Sequence, residues 1–397
     1  MMTAGRVRQR KKRLIMQYRT FGQTGIRVSI LGFGALRLPK LEDETCDFEK
    51  SVPLLQRGID LGINFIDTAY SYIKGTSEIC VGQAIKGYDR KRLYLSTKIP
   101  VQEEENAKAH VWRSKFEECL RRLDTSYIDF MLFHDLRWNE FTTHLSKPGM
   151  AMDEVRKARY EGLVRHICFS SHDTPENIIR LADTGEFAGM LVQYNFLYQH
   201  HTHAIAHAAR KGLGVAVMGP VAGGRLAIPT QITAKEKNLS QMEPFELALR
   251  FVWNNPLIAA AFSGMSEMVQ IEQNVAAADQ ETEISEVERS RINRLAEKFK
   301  HLADLYCTGC GYCLPCPNGV LIPEVFRYVN WHRVWGLTAE AKKAYGDLTG
   351  EEVWTPWVGH MKGLKAKACT QCGECEPKCP QKISIIEQLQ EADDILG

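Results

Sequence analysis

What this 397-residue chain lacks narrows it before any motif is read. No apolar run is long enough to span a bilayer, and the basic opening (Arg6, Arg8, Arg10, Lys11, Lys12, Arg13) does not lead into the apolar stretch of a secretory signal. Charge of one sign is also missing. Fifty basic side chains against 48 acidic ones leave +2, and beyond the first residues the two signs are interleaved. That excludes a polyanion footprint and, with it, a nucleic-acid partner. Cysteine is scarce for most of the length: Cys46, Cys80, Cys119 and Cys168 are scattered over the first 300 residues, which speaks against a disulfide framework and for a reducing compartment. A cytoplasmic protein with no membrane association is expected, with residues 1–15 a disordered basic extension.

What is present is a rhythm. Two short β-rich runs between Tyr18 and Leu38 break at Thr24-Gly25, so a hairpin should lead into a first long-range strand ending near Gly34. Strands are then predicted near 63–67, 93–98, 127–133, 165–170, 189–194, 214–218 and 258–263. Helices are predicted near 48–61, 77–86, 106–122, 150–161, 175–183, 203–212 and 243–254, with 266–277 and 285–304 closing the domain. Eight strands, each followed by a helix, point to a closed (β/α)8 barrel. An open doubly wound sheet would want a Gly-rich phosphate turn after its first strand, and Gly32-Phe33-Gly34-Ala35-Leu36 does not supply one.

Barrels of this kind carry their chemistry at the C-terminal ends of the strands. There the chain places Asp67, Tyr72, Lys98, His134, Ser170, Gln193 and Gly264. Any one of them could be a solvated cap; seven on one rim are read as a site. His203 and His207 have the i, i+4 spacing of metal ligands, but no acidic motif accompanies them, and they are read as an exposed or mouth-lining helix.

The runs Phe65-Ile66-Asp67-Thr68-Ala69-Tyr70-Ser71-Tyr72, Ser96-Thr97-Lys98, Phe133-His134, Val192-Gln193-Tyr194-Asn195 and Ser263-Gly264 … Asn274 resemble, in order and spacing, the aldo/keto reductase family. The resemblance covers about two thirds of the chain. It implies Asp67, Tyr72, Lys98 and His134 as a catalytic tetrad, a small-molecule carbonyl substrate, and NADP or NAD seated by Gly34, Asp67, Ser170, Gln193, Met218, Gly264 and Asn274. Two positions depart from the family pattern: Ser170-Ser171-His172 stands where a Ser-Asn pair is usual, and Met218 where an aromatic is common. The segment 264–274 has no cation for a 2′-phosphate but has Glu267 and Glu272, so the choice between NADP and NAD stays open. On the chemistry of the residue types, Tyr72 would be the proton donor, its pKa brought down by the Lys98 ammonium; Asp67 would keep that ammonium charged, and His134 would donate to the same carbonyl oxygen.

The other eight cysteines are crowded at the C-terminal end. Cys307, Cys310, Cys313 and Cys316 form one run, each of the last two followed closely by proline; Cys369, Cys372, Cys375 and Cys379-Pro380 form another. Zinc also uses C-x-x-C pairs, but three cysteines at consecutive x-x spacing and a fourth before proline favour iron–sulfur ligation. By resemblance to bacterial ferredoxins, Cys307, Cys310, Cys313 and Cys379 would hold one [4Fe-4S] cluster, and Cys369, Cys372, Cys375 and Cys316 the other. The interval between the runs has helical patterns at 322–335 and 339–345 and four tryptophans, Trp331, Trp335, Trp354 and Trp357, read as packing residues of a small, mainly α-helical ferredoxin-like domain.

The expected organisation is therefore 1–15 extension, 16–304 barrel and 305–397 iron–sulfur domain. The expected activity is NAD(P)H-dependent reduction of an aldehyde or ketone. The two clusters would serve electron exchange with a flavoprotein or ferredoxin-linked partner, or structure and redox sensing. An electron-transfer or nucleotide-binding regulatory protein with little carbonyl turnover is the alternative. The substrate pocket is expected along 136–150, with Trp138 and Phe141, and at the turn 221–225.

Overall fold

The computed structural model describes residues 16–196, 198–227, 243–279, 285–287, 289, 290, 294, 307, 309, 311–333, 337–355 and 359–397. The expected extension 1–15, most of the helix expected at 285–304, Cys310, Trp335 and Trp357 lie outside them.

The chain opens with an antiparallel hairpin, β1 (Tyr18–Thr20) and β2 (Arg27–Ser29), turning where Thr24-Gly25 breaks the pattern. Eight parallel strands follow: β3 (Leu31–Gly34), β4 (Phe65–Asp67), β5 (Tyr94–Pro100), β6 (Ile128–His134), β7 (Val164–Ser171), β8 (Gly189–Gln193), β9 (Gly214–Met218) and β10 (Ala260–Ser263). Each pairs with the next, and β10 returns to β3, so the sheet closes. Closure leaves no edge strand, and strands buried on both faces explain why these runs read as near-continuous apolar stretches.

Helices wrap the outside: α1 (Phe48–Asp60), α2 (Thr76–Ala84), α3 (Ala109–Leu123), α4 (Ala151–Tyr160), α5 (Pro175–Asp183), α6 (Thr202–Arg210), α7 (Pro244–Trp253) and α8 (Met268–Asp279). Their starts are legible locally. Asp47 accepts from the Lys50 amide at the head of α1, and Thr174 accepts from the Asn177 amide before Pro175 opens α5. Between these helices and the strands lies a continuous apolar layer that includes Trp112, Phe116, Phe133, Phe169 and Trp253.

A second apolar cluster fills the barrel itself. Phe21, from the hairpin turn, enters the N-terminal end and meets Phe65 and Phe130 with ring centroids 5.8 and 4.8 Å away. The first residues of β8 and β9 are glycines for this reason: a Cβ on Gly189 or Gly214 would fall 2.4 or 2.1 Å from the Phe21 ring. That end of the barrel is filled, and its polar strand ends face the other way.

The C-terminal segment has its own core, built from α9 (Ile322–Arg333), α10 (Thr338–Gly346) and α11 (Ile385–Leu396) around Phe326, Tyr345 and Leu389. Trp331 packs against it, as expected of these tryptophans. One feature was not foreseen: an antiparallel pair, β11 (Thr349–Thr355) with β12 (Gly359–Leu364), stands between the helices. The domain is thus helical with a β-hairpin. No described helix is long and apolar enough to cross a membrane.

Candidate active site

Lys98 projects from β5 into the barrel at 1% exposure, where a lone ammonium would be costly. It is not alone. Its Nζ donates to Asp67 Oδ2 at 2.6 Å, to the Thr68 carbonyl at 2.7 Å and to Tyr72 Oη at 3.2 Å. Asp67, at the end of β4, is held from its other side by Ser96 Oγ at 2.5 Å. The His134 ring, at the end of β6, meets Tyr72 edge to face with centroids 5.7 Å apart. The four side chains expected to form a tetrad, far apart in the chain, are brought together at the C-terminal mouth.

Tyr72 reaches this point through an unusual turn. Ile73 and Lys74 have φ of 50° and 51°, a left-handed conformation that costs L-residues about 1–2 kcal/mol each. Burial of Ile73 in the apolar layer and donation from Lys74 Nζ to the Asp43 carbonyl at 2.8 Å offset that cost. The turn aims the phenol back over the barrel axis.

The electrostatics correct one expectation. Burial, reinforced by the Asp67 carboxylate, pushes the Tyr72 phenol well above its ordinary pKa, with the Arg37 guanidinium opposing; the phenol is not brought down. Desolvation outweighs the nearby cations because the phenolate would lose its water. Burial likewise lowers Lys98 and raises Asp67, each opposed by the other's charge. His134 is pushed down to about 3 by burial and by Lys98 and His172, so its ring is neutral. A neutral imidazole and a protonated phenol facing one cleft make two hydrogen-bond donors for a single oxygen.

The expected nucleotide contacts behave differently from one another. Gly34 and Gly264 lie side by side at the ends of β3 and β10, and Arg37 folds over Gly264, leaving no room there for a Cβ. Ser170 Oγ accepts from the Asp135 amide at 3.0 Å. Asn274 turns inward to donate to Ser263 Oγ at 3.2 Å, so its side chain serves the barrel wall. Met218 ends β9 beside the inner cluster. Gln193, 2% exposed, keeps its Nε2 buried without a hydrogen-bond partner among the described residues, an open donor on the rim that suits a ligand amide. Of the two acidic residues in 264–274, Glu272 pairs with Arg57 at 2.8 Å and Glu267 is exposed.

Three rim residues were not assigned to the site from the sequence. Arg37 follows the first barrel strand by three positions, and its Nη2 donates to the Gly309 carbonyl at 3.2 Å. His172 continues the Ser170-Ser171 strand end and is lowered by burial. Gln381, two residues beyond Cys379, reaches both His172 and Gln193. The first two had a signal in their strand-end positions; Gln381 had none. Together these contacts seat the cysteine-rich segment against the barrel mouth. In the loop after β6, Trp138 and Phe141 stack at 5.7 Å. His203 is exposed and His207 pairs with Asp183 at 2.8 Å, consistent with a solvent-facing helix.

Cys316, Cys369, Cys372 and Cys375 line one recess, which Cys313 also borders. Cys375 feels the charge of Cys316 and Cys369, while Cys379 feels that of Cys307, so the fourth cysteine of each run stands with the other run. The exchange expected from the sequence would need that interleaving. Among the described residues no three His, Cys, Asp or Glu side chains converge as a single metal ion would need. Four thiols on one recess are the donor type and number that an iron–sulfur cluster takes.

Comparison with known proteins agrees on both parts. The model of the aldo/keto reductase family matches residues 30–297, and that of a 4Fe-4S dicluster domain matches 306–384. L-galactose dehydrogenase of Arabidopsis thaliana is 27% identical over 303 residues, covering 69% of this chain and 93% of that protein. The holo form of aldo-keto reductase AKR11C1 from Bacillus halodurans superposes with a TM-score of 0.59 at 26% identity, covering 70% of this chain and 96% of that one. An aldo-keto reductase from Klebsiella pneumoniae in complex with NADPH does so with the same TM-score and identity, covering 71% and 95%.

Proposed function

The chain belongs to the aldo/keto reductase family and carries a 4Fe-4S domain behind its barrel, and from that premise we propose that it is an NAD(P)H-dependent oxidoreductase reducing an aldehyde or ketone. The observation that carries the proposal is the position of Lys98 Nζ, bonded at once to Asp67 and to the Tyr72 hydroxyl, beside His134. When bound, a reduced nicotinamide supplies hydride to the carbonyl carbon. The rest falls to this chain's residues. His134, neutral, donates to the carbonyl oxygen and orients it. Tyr72 Oη gives its proton to that oxygen as negative charge develops there. Lys98 meets the phenolate charge left behind, and Asp67 holds Lys98 in place and charged. The raised phenol pKa keeps the proton on Tyr72 until an alkoxide, a far stronger base, calls for it.

The nucleotide is NADPH or NADH, and a competition titration between the two reads which. Two [4Fe-4S] clusters, one on Cys307, Cys310, Cys313 and Cys379, the other on Cys316, Cys369, Cys372 and Cys375, would exchange single electrons with a flavoprotein or ferredoxin-linked partner or report redox state. Tyr72→Phe tests the reading. Nicotinamide-dependent carbonyl reduction should fall by roughly 100-fold or more, with nucleotide binding and the broad visible absorption unchanged. An unchanged rate would leave the protein as a nucleotide-binding redox regulator.

A further inference from the structure

Gln193, at the end of β8, and Gln381, beyond Cys379, meet where the two domains touch. Gln381 Nε2 donates to Gln193 Oε1 at 2.7 Å and lies 3.3 Å from His172 Nδ1. Each amide thereby uses one of its two polar atoms. The remaining two, Gln193 Nε2 and Gln381 Oε1, are buried with no hydrogen-bond partner among the described residues. Leaving a buried polar atom unmade forfeits its hydration, so a donor and an acceptor left open on two side chains joined by one hydrogen bond ask for an explanation.

A primary carboxamide is their complement. Its oxygen can accept from Gln193 Nε2 while its N–H donates to Gln381 Oε1. A carboxylate has no proton for Gln381, and a ketone none either. The pair stands on the same rim as Ser170 and close to His172, whose charge is felt by His134. We propose that Gln381, delivered by the iron–sulfur domain, completes with Gln193 a carboxamide-binding pair that grips the amide of the nicotinamide nucleotide. This rests on the reading of the barrel mouth as a nicotinamide site. The second domain then contributes a binding residue to the first domain's reaction.

The test compares affinities of the anaerobically purified, cluster-loaded protein for NADP+ and NAD+ with those for their 3-acetylpyridine analogues, which replace the amide N–H2 by a methyl group. Wild type should prefer the carboxamide by roughly five- to tenfold, the worth of one hydrogen bond. Gln381→Met, similar in length but without an acceptor oxygen, should cut that preference below about twofold while keeping the visible absorption. Gln381→Ala serves the same comparison should the longer side chain disturb cluster loading. A wild-type protein that binds none of these nucleotides overturns the nicotinamide reading itself. Nucleotide binding with no preference in wild type, or with an equal preference in the variant, overturns the role of Gln381 and leaves that reading standing.

Discussion

His201 illustrates how a single side chain sets the working conditions of the fold. It is fully buried, both ring nitrogens lack a hydrogen-bond partner among the described residues, and burial, helped by His200 and His172 and opposed by Asp173, pushes it from 6.5 down to about 3. The folded protein therefore holds it neutral while the unfolded chain protonates it near 6.5. Its contribution is intact above that pH and is lost as pH falls from there towards about 3. Urea midpoints measured at pH 7.5 and 5.5 should drop on acidification in wild type and drop less in His201→Leu, which removes the buried proton acceptor. His134 has the same sign and the same low value. Consequently the pH–rate profile should show no imidazole limb between pH 5 and 9, and one assigned to His134 would contradict the neutral donor role.

At the scale of elements, the hairpin ahead of the barrel carries more than its six strand residues suggest. Phe21→Ala would empty the plug between Phe65 and Phe130, and about 3–5 kcal/mol of stability should go with it. Because the tetrad lies at the opposite end, KM measured well below the melting temperature should stay as in wild type. The strands and helices of the barrel were legible because β-branched runs and 3.6-residue patterns alternate without interruption, and observed boundaries fall within three residues of the expected ones. The β11–β12 pair was not: Glu351-Glu352 and a proline at 356 mask its alternation, and its partner pairing is visible only once both strands are placed. The glycines under Phe21 were equally silent, since nothing local marks them as contact points. Asp67, Tyr72, Lys98 and His134 could be read because strand-end chemistry is local to each run.

For the whole molecule, the arrangement of the two domains is the part no local pattern announces: the Gln381 to Gln193 bond joins positions 188 apart. Cysteines in the same run should therefore differ in consequence. Cys379 lies two residues from that bond, whereas Cys372 is exposed on the recess it shares with Cys316, Cys369 and Cys375. Cys379→Ser should weaken nucleotide binding about fivefold, the equivalent of one displaced hydrogen bond, and Cys372→Ser should leave it unchanged although both alter the electron paramagnetic resonance of the reduced protein. Equal nucleotide affinities in the two variants would mean that the domains merely touch. The phenylalanine stopper at the other end has its own corollary: the barrel is a cul-de-sac. On the proposed reaction, alcohol leaving Tyr72 would depart by the doorway through which the next aldehyde arrives, so spent product would act as a rival guest for the same seat.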